Sequence, residues 1–185
     1  MKQFDHLSIF VSMIIALGVR HLILSVASMI NLRGKFKIYY PTLVWMVFLL
    51  LVQLQIWWVF FYRENISDWR FFAFLFYLII PITISMLSHL LLPELKPGMD
   101  LEEKYNHNRK WFFGLLGAVV FVSLLDDFFT SGFREFDLNF WYRIVFIALS
   151  VVGICSGSKR FQLPLSLAFL FSFVIYVALL FFRLG

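Results

Sequence analysis

Residues 7–31 read LSIFVSMIIALGVRHLILSVASMIN, and Arg20 and His21 lie near the middle of this apolar run. A helix rises about 1.5 Å per residue, so about 20 apolar residues cross a hydrocarbon layer of about 30 Å. The run therefore predicts a membrane-spanning helix that carries two ionisable side chains at a depth where lipid makes them costly.

Five further apolar runs follow the first, at residues 39–61, 70–92, 111–129, 139–156 and 163–182. The chain is 62% hydrophobic and 15% charged, and 25 of its 185 residues are Phe. A soluble domain of this size cannot bury so much apolar surface in one core. The sequence predicts an all-α, polytopic membrane protein, a bundle of six transmembrane helices. Because every connector is short, residues 1–185 are expected to form a single domain.

The basic residues predict the orientation of the chain. The net charge is +5, and most Lys and Arg lie in short loops beside spans, which is typical of topology signals and contact with anionic lipid rather than of nucleic-acid binding. Nine basic residues fall in the first, third and fifth loops, against five on the other side. Both termini are therefore expected outside, with those three loops in the cytoplasm. The nine are Arg33, Lys35, Lys37, Lys96, Lys104, Arg109, Lys110, Lys159 and Arg160.

Arg20 is the most costly side chain in this arrangement. It lies about 16 Å from the end of its predicted span at residue 31, which is close to the midplane. An arginine there costs about 2.5–3.5 kcal/mol unless it is paired or hydrated. The acidic candidates within the spans are Asp126 and Asp127. Gln53 or Gln55 could assist one of them, but these glutamines lie on nearly opposite helix faces, so only one can share a cavity with Arg20.

Arg143 in the fifth span lies at nearly the depth of Asp126 and Asp127. An ion pair between Arg143 and one of these aspartates is therefore expected, with the other aspartate reaching towards Arg20. In one interpretation Arg20 lines a path for an anion or tunes a proton relay through His21. In the other, which we favour slightly, these groups form a satisfied polar core that fixes helix register.

The third span carries Ser85 and His89 on one face. Two histidines on neighbouring spans, His21 and His89, suggest bis-histidine haem. Their depths argue against it, because His21 is central whereas His89 lies about 5 Å from the end of its span. We predict no cofactor and no metal. The sequence also lacks a Gly-rich phosphate loop, a nucleophile elbow and a Cys-rich metal motif, so no catalytic residue is predicted.

Three stretches together carry a resemblance: Gly18 to Leu22 (GVRHL), Gln53 to Trp58 (QLQIWW) and Tyr105 to Gly114 (YNHNRKWFFG). They are similar to a family of uncharacterised, small, six-helix, multi-pass bacterial membrane proteins. The resemblance covers spans one to four and implies a location in the bacterial inner membrane. It implies no activity and no functional residue.

The leading functional hypothesis is a small membrane channel or transport-like protein, a homo-oligomer or one with a membrane-protein partner, that moves an anion or a proton along a polar path. The alternative is a non-conducting membrane subunit or sensor that packs against a protein partner. A further alternative is a membrane-embedded haem protein or enzyme. The residues expected in the path or polar core are Arg20, His21, Gln53, Gln55, Ser85, His89, Asp126, Asp127 and Arg143.

Overall fold

The computed structural model describes residues 3–60, 71–92, 94–131 and 138–180. This part of the chain forms six α-helices, which confirms the predicted all-α bundle. The helices are α1 (Gln3–Asn31), α2 (Tyr40–Phe60), α3 (Phe71–Leu91), α4 (Leu101–Ser131), α5 (Leu138–Cys155) and α6 (Lys159–Leu180).

The helices have the length and composition of membrane spans. Five of them, all but α3, are long and apolar enough to cross a bilayer, and the apolar part of α3 that can be assessed, Tyr77–Leu91, is shorter. The chain is therefore a multi-pass membrane protein. Helix α4 begins at Leu101, well before its apolar part, because Asp100 caps it. The Asp100 Oδ1 atom accepts hydrogen bonds from the backbone N–H groups of Glu102 at 3.0 Å and Glu103 at 3.3 Å.

Five of the six helices form a closed ring. Helix α2 packs against α3, α3 against α4, α4 against α5, α5 against α6, and α6 returns to α2. Helix α1 lies outside this ring and packs mainly against α2 and α3. The charged residues of α1 are thus separated from the ring interior by the wall that α2 and α3 form.

Ionic contacts join the loops at the end of the bundle that holds most of the Lys and Arg, which we call the basic end. The Lys37 Nζ atom lies 3.1 Å from Asp100 Oδ2, and Lys159 Nζ lies 2.6 Å from Glu102 Oε1. These contacts link the α1–α2 loop to the start of α4 and the start of α4 to α6. The lysines of both pairs are exposed and the carboxylates are only partly buried, so each pair contributes little to stability.

Glycines permit close helix approach at two places. A Cβ atom at Gly153 on α5 would overlap the ring of Phe113 on α4, and one at Gly18 on α1 would overlap the side chain of Gln53 on α2. Small residues in membrane helices allow backbones to approach closely. Gly153 thus allows α4 and α5 to pack closely within the ring, and Gly18 allows α1 to pack closely against the outside of the ring.

Candidate functional site

The first of two candidate sites is a groove outside the ring, between α1 and α3, which we call the α1–α3 groove. Four of the predicted path residues meet there, since Arg20 and His21 come from α1 and Ser85 and His89 from α3. The rest of its wall is apolar. These apolar residues are Ile14, Leu17, Ile82, Met86, Leu90 and Leu115.

The two histidine rings in the groove stack on each other. Their centroids are 3.8 Å apart and their planes differ by 20°. The Nε2 atom of His21 lies 2.7 Å from the carbonyl oxygen of Leu92, and Nδ1 of His89 lies 3.0 Å from that of Ser85. A carbonyl only accepts, so these two nitrogens carry the ring protons in the neutral rings. Nδ1 of His21 and Nε2 of His89 are then hydrogen-bond acceptors.

This stack has two consequences for the haem alternative. The predicted difference in depth between His21 and His89 is wrong, because their rings are in contact. Yet their geometry does not suit bis-histidine haem, in which the porphyrin lies between the two imidazoles. Rings 3.8 Å apart and nearly parallel leave no space for that plane. Among the residues that the structure describes, no group of three or more His, Cys, Asp or Glu could hold a metal ion.

The level of Arg20 in the bundle is given by the contacts of the residues around it. Its neighbour His21 bonds to Leu92, which directly follows the last residue of α3. The Asn108 side chain donates to the carbonyl of Leu90 at 2.9 Å, so the polar start of α4 lies at the same level. Arg20 is therefore level with the end of α3, although the contact of Gly18 with Gln53 places it about midway along α2. The depth was measured along α1 from Asn31, whereas α1 extends well beyond α3, so the depth of Arg20 in the membrane stays a prediction.

The predicted partners of Arg20 lie elsewhere. Its side chain is exposed, and it forms no hydrogen bond or ion pair with any residue in the described ranges. Gln53 is buried, and its Nε2 donates to Ser88 Oγ at 3.0 Å. Gln55 lies on the other side of α2, within the ring. The expectation that the two glutamines face opposite ways is confirmed, but neither contacts Arg20.

The second candidate site is a cavity of about 180 Å³ inside the ring, which we call the central cavity. All five ring helices line it, and most of its wall is aliphatic or aromatic. Its polar groups come from Gln55, Ser123, Asp126 and Arg143, together with the hydroxyls of Tyr77 and Tyr176. Helix α1 contributes nothing to this wall.

Asp126 and Arg143 thus share one cavity. The Arg143 guanidinium donates to the backbone carbonyl of Ser123 at 2.7 Å, which joins α5 to α4 one turn before Asp126. The side chain of Asp127 lies outside the described residues. The ion pair of Arg143 with one of the two aspartates stays a prediction, although both Asp126 and Arg143 have further interactions.

Aromatic side chains fill the ring between the central cavity and the basic end. Trp45 lies 4.9 Å from Phe112 and 5.0 Å from Phe169, measured between ring centroids, and Phe113 lies 5.4 Å from Trp45. Trp45, Phe113 and Phe169 are completely buried. We call these four residues the aromatic cluster.

A hydrogen-bonded chain lies on the basic side of this cluster. Trp45 Nε1 donates to the Tyr105 hydroxyl at 3.3 Å, which donates to Gln162 Oε1 at 2.8 Å. The Gln162 Nε2 atom in turn donates to the carbonyl of Ser156 at 2.8 Å. Because the groups are buried and satisfied, they hold α2, α4 and α6 together at this level.

Arg109 is a structural residue that the sequence did not single out. It is 9% exposed, and its guanidinium donates to the carbonyls of Gly153, Ile154 and Ser156 at the end of α5. A cation there satisfies orphan carbonyls and complements the helix dipole. The role of Arg109 could be inferred from its position level with the end of α5. That position follows only when α4 is known to start at Leu101.

In comparisons with known proteins, no protein-family model, no curated protein and no solved structure matches the chain.

Proposed function

We propose that this protein is a transport-like membrane protein that takes a small anion or a proton into the central cavity. One observation carries the proposal: Asp126 and Arg143, two ionisable residues of apolar helices, line a cavity to whose wall all five ring helices contribute. Ionisable groups that face a cavity within membrane helices mark ion and substrate pathways.

The composition of the wall supports a small charged solute. Gln55 and Ser123 add neutral polar groups beside Asp126 and Arg143, and apart from two tyrosines the remaining wall is apolar. An apolar surrounding strengthens the attraction between a bound ion and these groups. The volume of about 180 Å³ is below the roughly 300–1,000 Å³ of sites for drug-sized ligands. The solute would have few heavy atoms.

The part of the ring next to the basic end is filled with side chains, and this favours a carrier over an open channel. The aromatic cluster and the Trp45–Tyr105–Gln162 chain lie between the cavity and the basic end. A carrier must close one side while the other is accessible. In the orientation that the loop charges favour, in a bacterial inner membrane, the basic end is cytoplasmic and the cavity belongs to the outer half.

Cysteine accessibility tests this proposal. Cys155 is the only cysteine of the chain, so Cys155→Ser provides a cysteine-free background. In that background Ser123→Cys places a thiol on the cavity wall, and Phe121→Cys places one on the opposite face of α4, where Phe121 is 55% exposed. Only a hydrated thiol ionises and reacts with a membrane-impermeant methanethiosulfonate. In proteoliposomes the Ser123→Cys protein should react at least about tenfold faster.

Equal rates for the two cysteines would contradict a hydrated cavity. Flux of protons and of small anions into the same proteoliposomes then identifies the transported ion. Protein that is folded, unlabelled at position 123 and silent for both ions would overturn the proposal in favour of a non-conducting subunit or sensor.

A further inference from the structure

The α1–α3 groove changes in character along its length. Arg20, His21 and His89 lie at its basic end, level with the end of α3. Leu17 and Met86 lie about one turn deeper and are 61% and 55% exposed. Arg20 and the two imidazoles thus lie at the basic end of the groove, and its deeper wall is apolar apart from Ser85.

The Arg20 guanidinium has no hydrogen-bonding or ionic partner among the described side chains. It is always charged, and near the hydrocarbon boundary its charge is stabilised by an anion or by water. Arg20 lies level with the end of α3, and a lipid phosphate that reaches this level would meet Arg donors, which match phosphate oxygens in a bidentate manner.

We infer that the α1–α3 groove binds one anionic phospholipid, with its phosphodiester on Arg20, its headgroup against the stacked histidines, and an acyl chain along Leu17 and Met86. The histidines fit a headgroup that carries hydroxyls. With Nε2 of His21 and Nδ1 of His89 donating to backbone carbonyls, the other ring nitrogens can accept hydrogen bonds. Phosphatidylglycerol supplies both the phosphodiester and the hydroxyls.

The apolar half of the groove selects a lipid over a free anion. Leu17 and Met86 offer nothing to inorganic phosphate, but they extend the contact of an acyl chain that reaches inward from the headgroup. The site lies outside the ring and is independent of the central cavity, so this inference goes beyond the transport proposal.

Native mass spectrometry of the full chain in detergent tests the inference. The protein is equilibrated with phosphatidylglycerol and phosphatidylcholine that carry the same acyl chains. One phosphatidylglycerol should remain bound to the wild type, and Arg20→Gln should weaken its retention about tenfold through loss of a charge-assisted contact. Lys110→Gln, an exposed charge on α4 outside the groove, is the matched control and should change retention less than about twofold.

A second variant tests the acyl-chain contact separately from the headgroup contact. Met86→Trp fills the apolar part of the groove without changing charge, and it should also weaken phosphatidylglycerol retention. Glycerol phosphate and inorganic phosphate serve as soluble probes and should not compete at millimolar concentration. Equal losses in Arg20→Gln and Lys110→Gln would overturn the inference in favour of general surface charge. Competition by the soluble anions, or retention unaffected by Met86→Trp, would overturn the acyl-chain contact.

Discussion

The α1–α3 groove and the central cavity both contain an arginine in an apolar helix, but the two arginines have different surroundings. Arg20 is exposed on the outside of the ring, at the level where α3 ends. Arg143 is partly buried inside the ring, donates to a backbone carbonyl and shares its cavity with Asp126. A charge in a membrane helix can thus be accommodated by the membrane surface or by the protein. The sequence around each residue does not distinguish the two solutions.

The largest expected contrast is in transport. If the cavity is the pathway, Asp126→Asn or Arg143→Gln should reduce flux in proteoliposomes to the level of empty vesicles, because each removes a charge from its wall. Arg20→Gln should change flux less than about twofold, since its charge lies outside the ring. Rates are compared per amount of folded protein, determined from size-exclusion profiles. A loss of flux in Arg20→Gln as large as in Asp126→Asn would mean that one pathway includes both regions.

A second contrast concerns the packing of the ring. In Gly153→Ala the new methyl group overlaps the Phe113 ring, and the expected loss is about 1–3 kcal/mol of unfolding free energy. Gly114→Ala on α4 is the control, because a Cβ there has no atom within 4 Å. It should be neutral or stabilising by up to about 1 kcal/mol. Reversible unfolding in mixed micelles measures both, and similar effects of the two substitutions would contradict the described α4–α5 contact.

Gly18→Ala should affect the α1–α3 groove and leave the central cavity unchanged. Its methyl group would overlap the side chains of Gln53 and Ser85, so these side chains or α1 must shift, at a cost of about 1–2 kcal/mol. The groove changes shape, whereas α1 has no part in the cavity wall. Phosphatidylglycerol retention should fall while the labelling rate of Ser123→Cys stays constant. Changes in both readouts would show that the sites are coupled.

The smallest expected effect lies at the basic end. The Lys37 ammonium hydrogen-bonds the Asp100 carboxylate and holds the pKa of Asp100 below its usual value. A depressed pKa in the folded state contributes stability above the unfolded pKa of about 3.9, and this contribution disappears as pH falls through the folded value. Asp100→Asn keeps a capping side chain but loses the charge. It should slightly lower the apparent Tm at pH 7, and this decrease should become smaller as the pH falls through the folded pKa of Asp100; a decrease that does not change with pH would exclude the ion pair.

The sequence predicted the number and order of helices because apolar runs of sufficient length have few alternatives in a membrane. It also predicted that Gln53 and Gln55 face opposite ways, since that follows from helix geometry alone. The predicted single polar path is divided in the structure: Arg20, His21, Ser85 and His89 line the groove, whereas Gln55, Asp126 and Arg143 line the central cavity. Their roles remain predictions.

The failures concern relations between helices. Arg20 lies level with the end of α3 because α1 extends beyond α3, and nothing in residues 7–31 indicates where α3 ends beside it. The stacking of His21 on His89 could not be predicted either, because it depends on how far α1 and α3 are shifted along each other. The position of α1 outside the ring depends on helix packing, for example at Gly18. A stretch of apolar residues does not specify this packing.

The separation of the two regions is tested most directly by the sidedness of labelling. In the Cys155→Ser background, His89→Cys reports on the groove and Ser123→Cys on the central cavity. An impermeant thiol reagent is added to one side of oriented membrane vesicles at a time. We expect position 89 to react from the side of the basic end and position 123 from the opposite side. Reaction of both positions from the same side, at similar rates, would contradict the separation and restore a single continuous path.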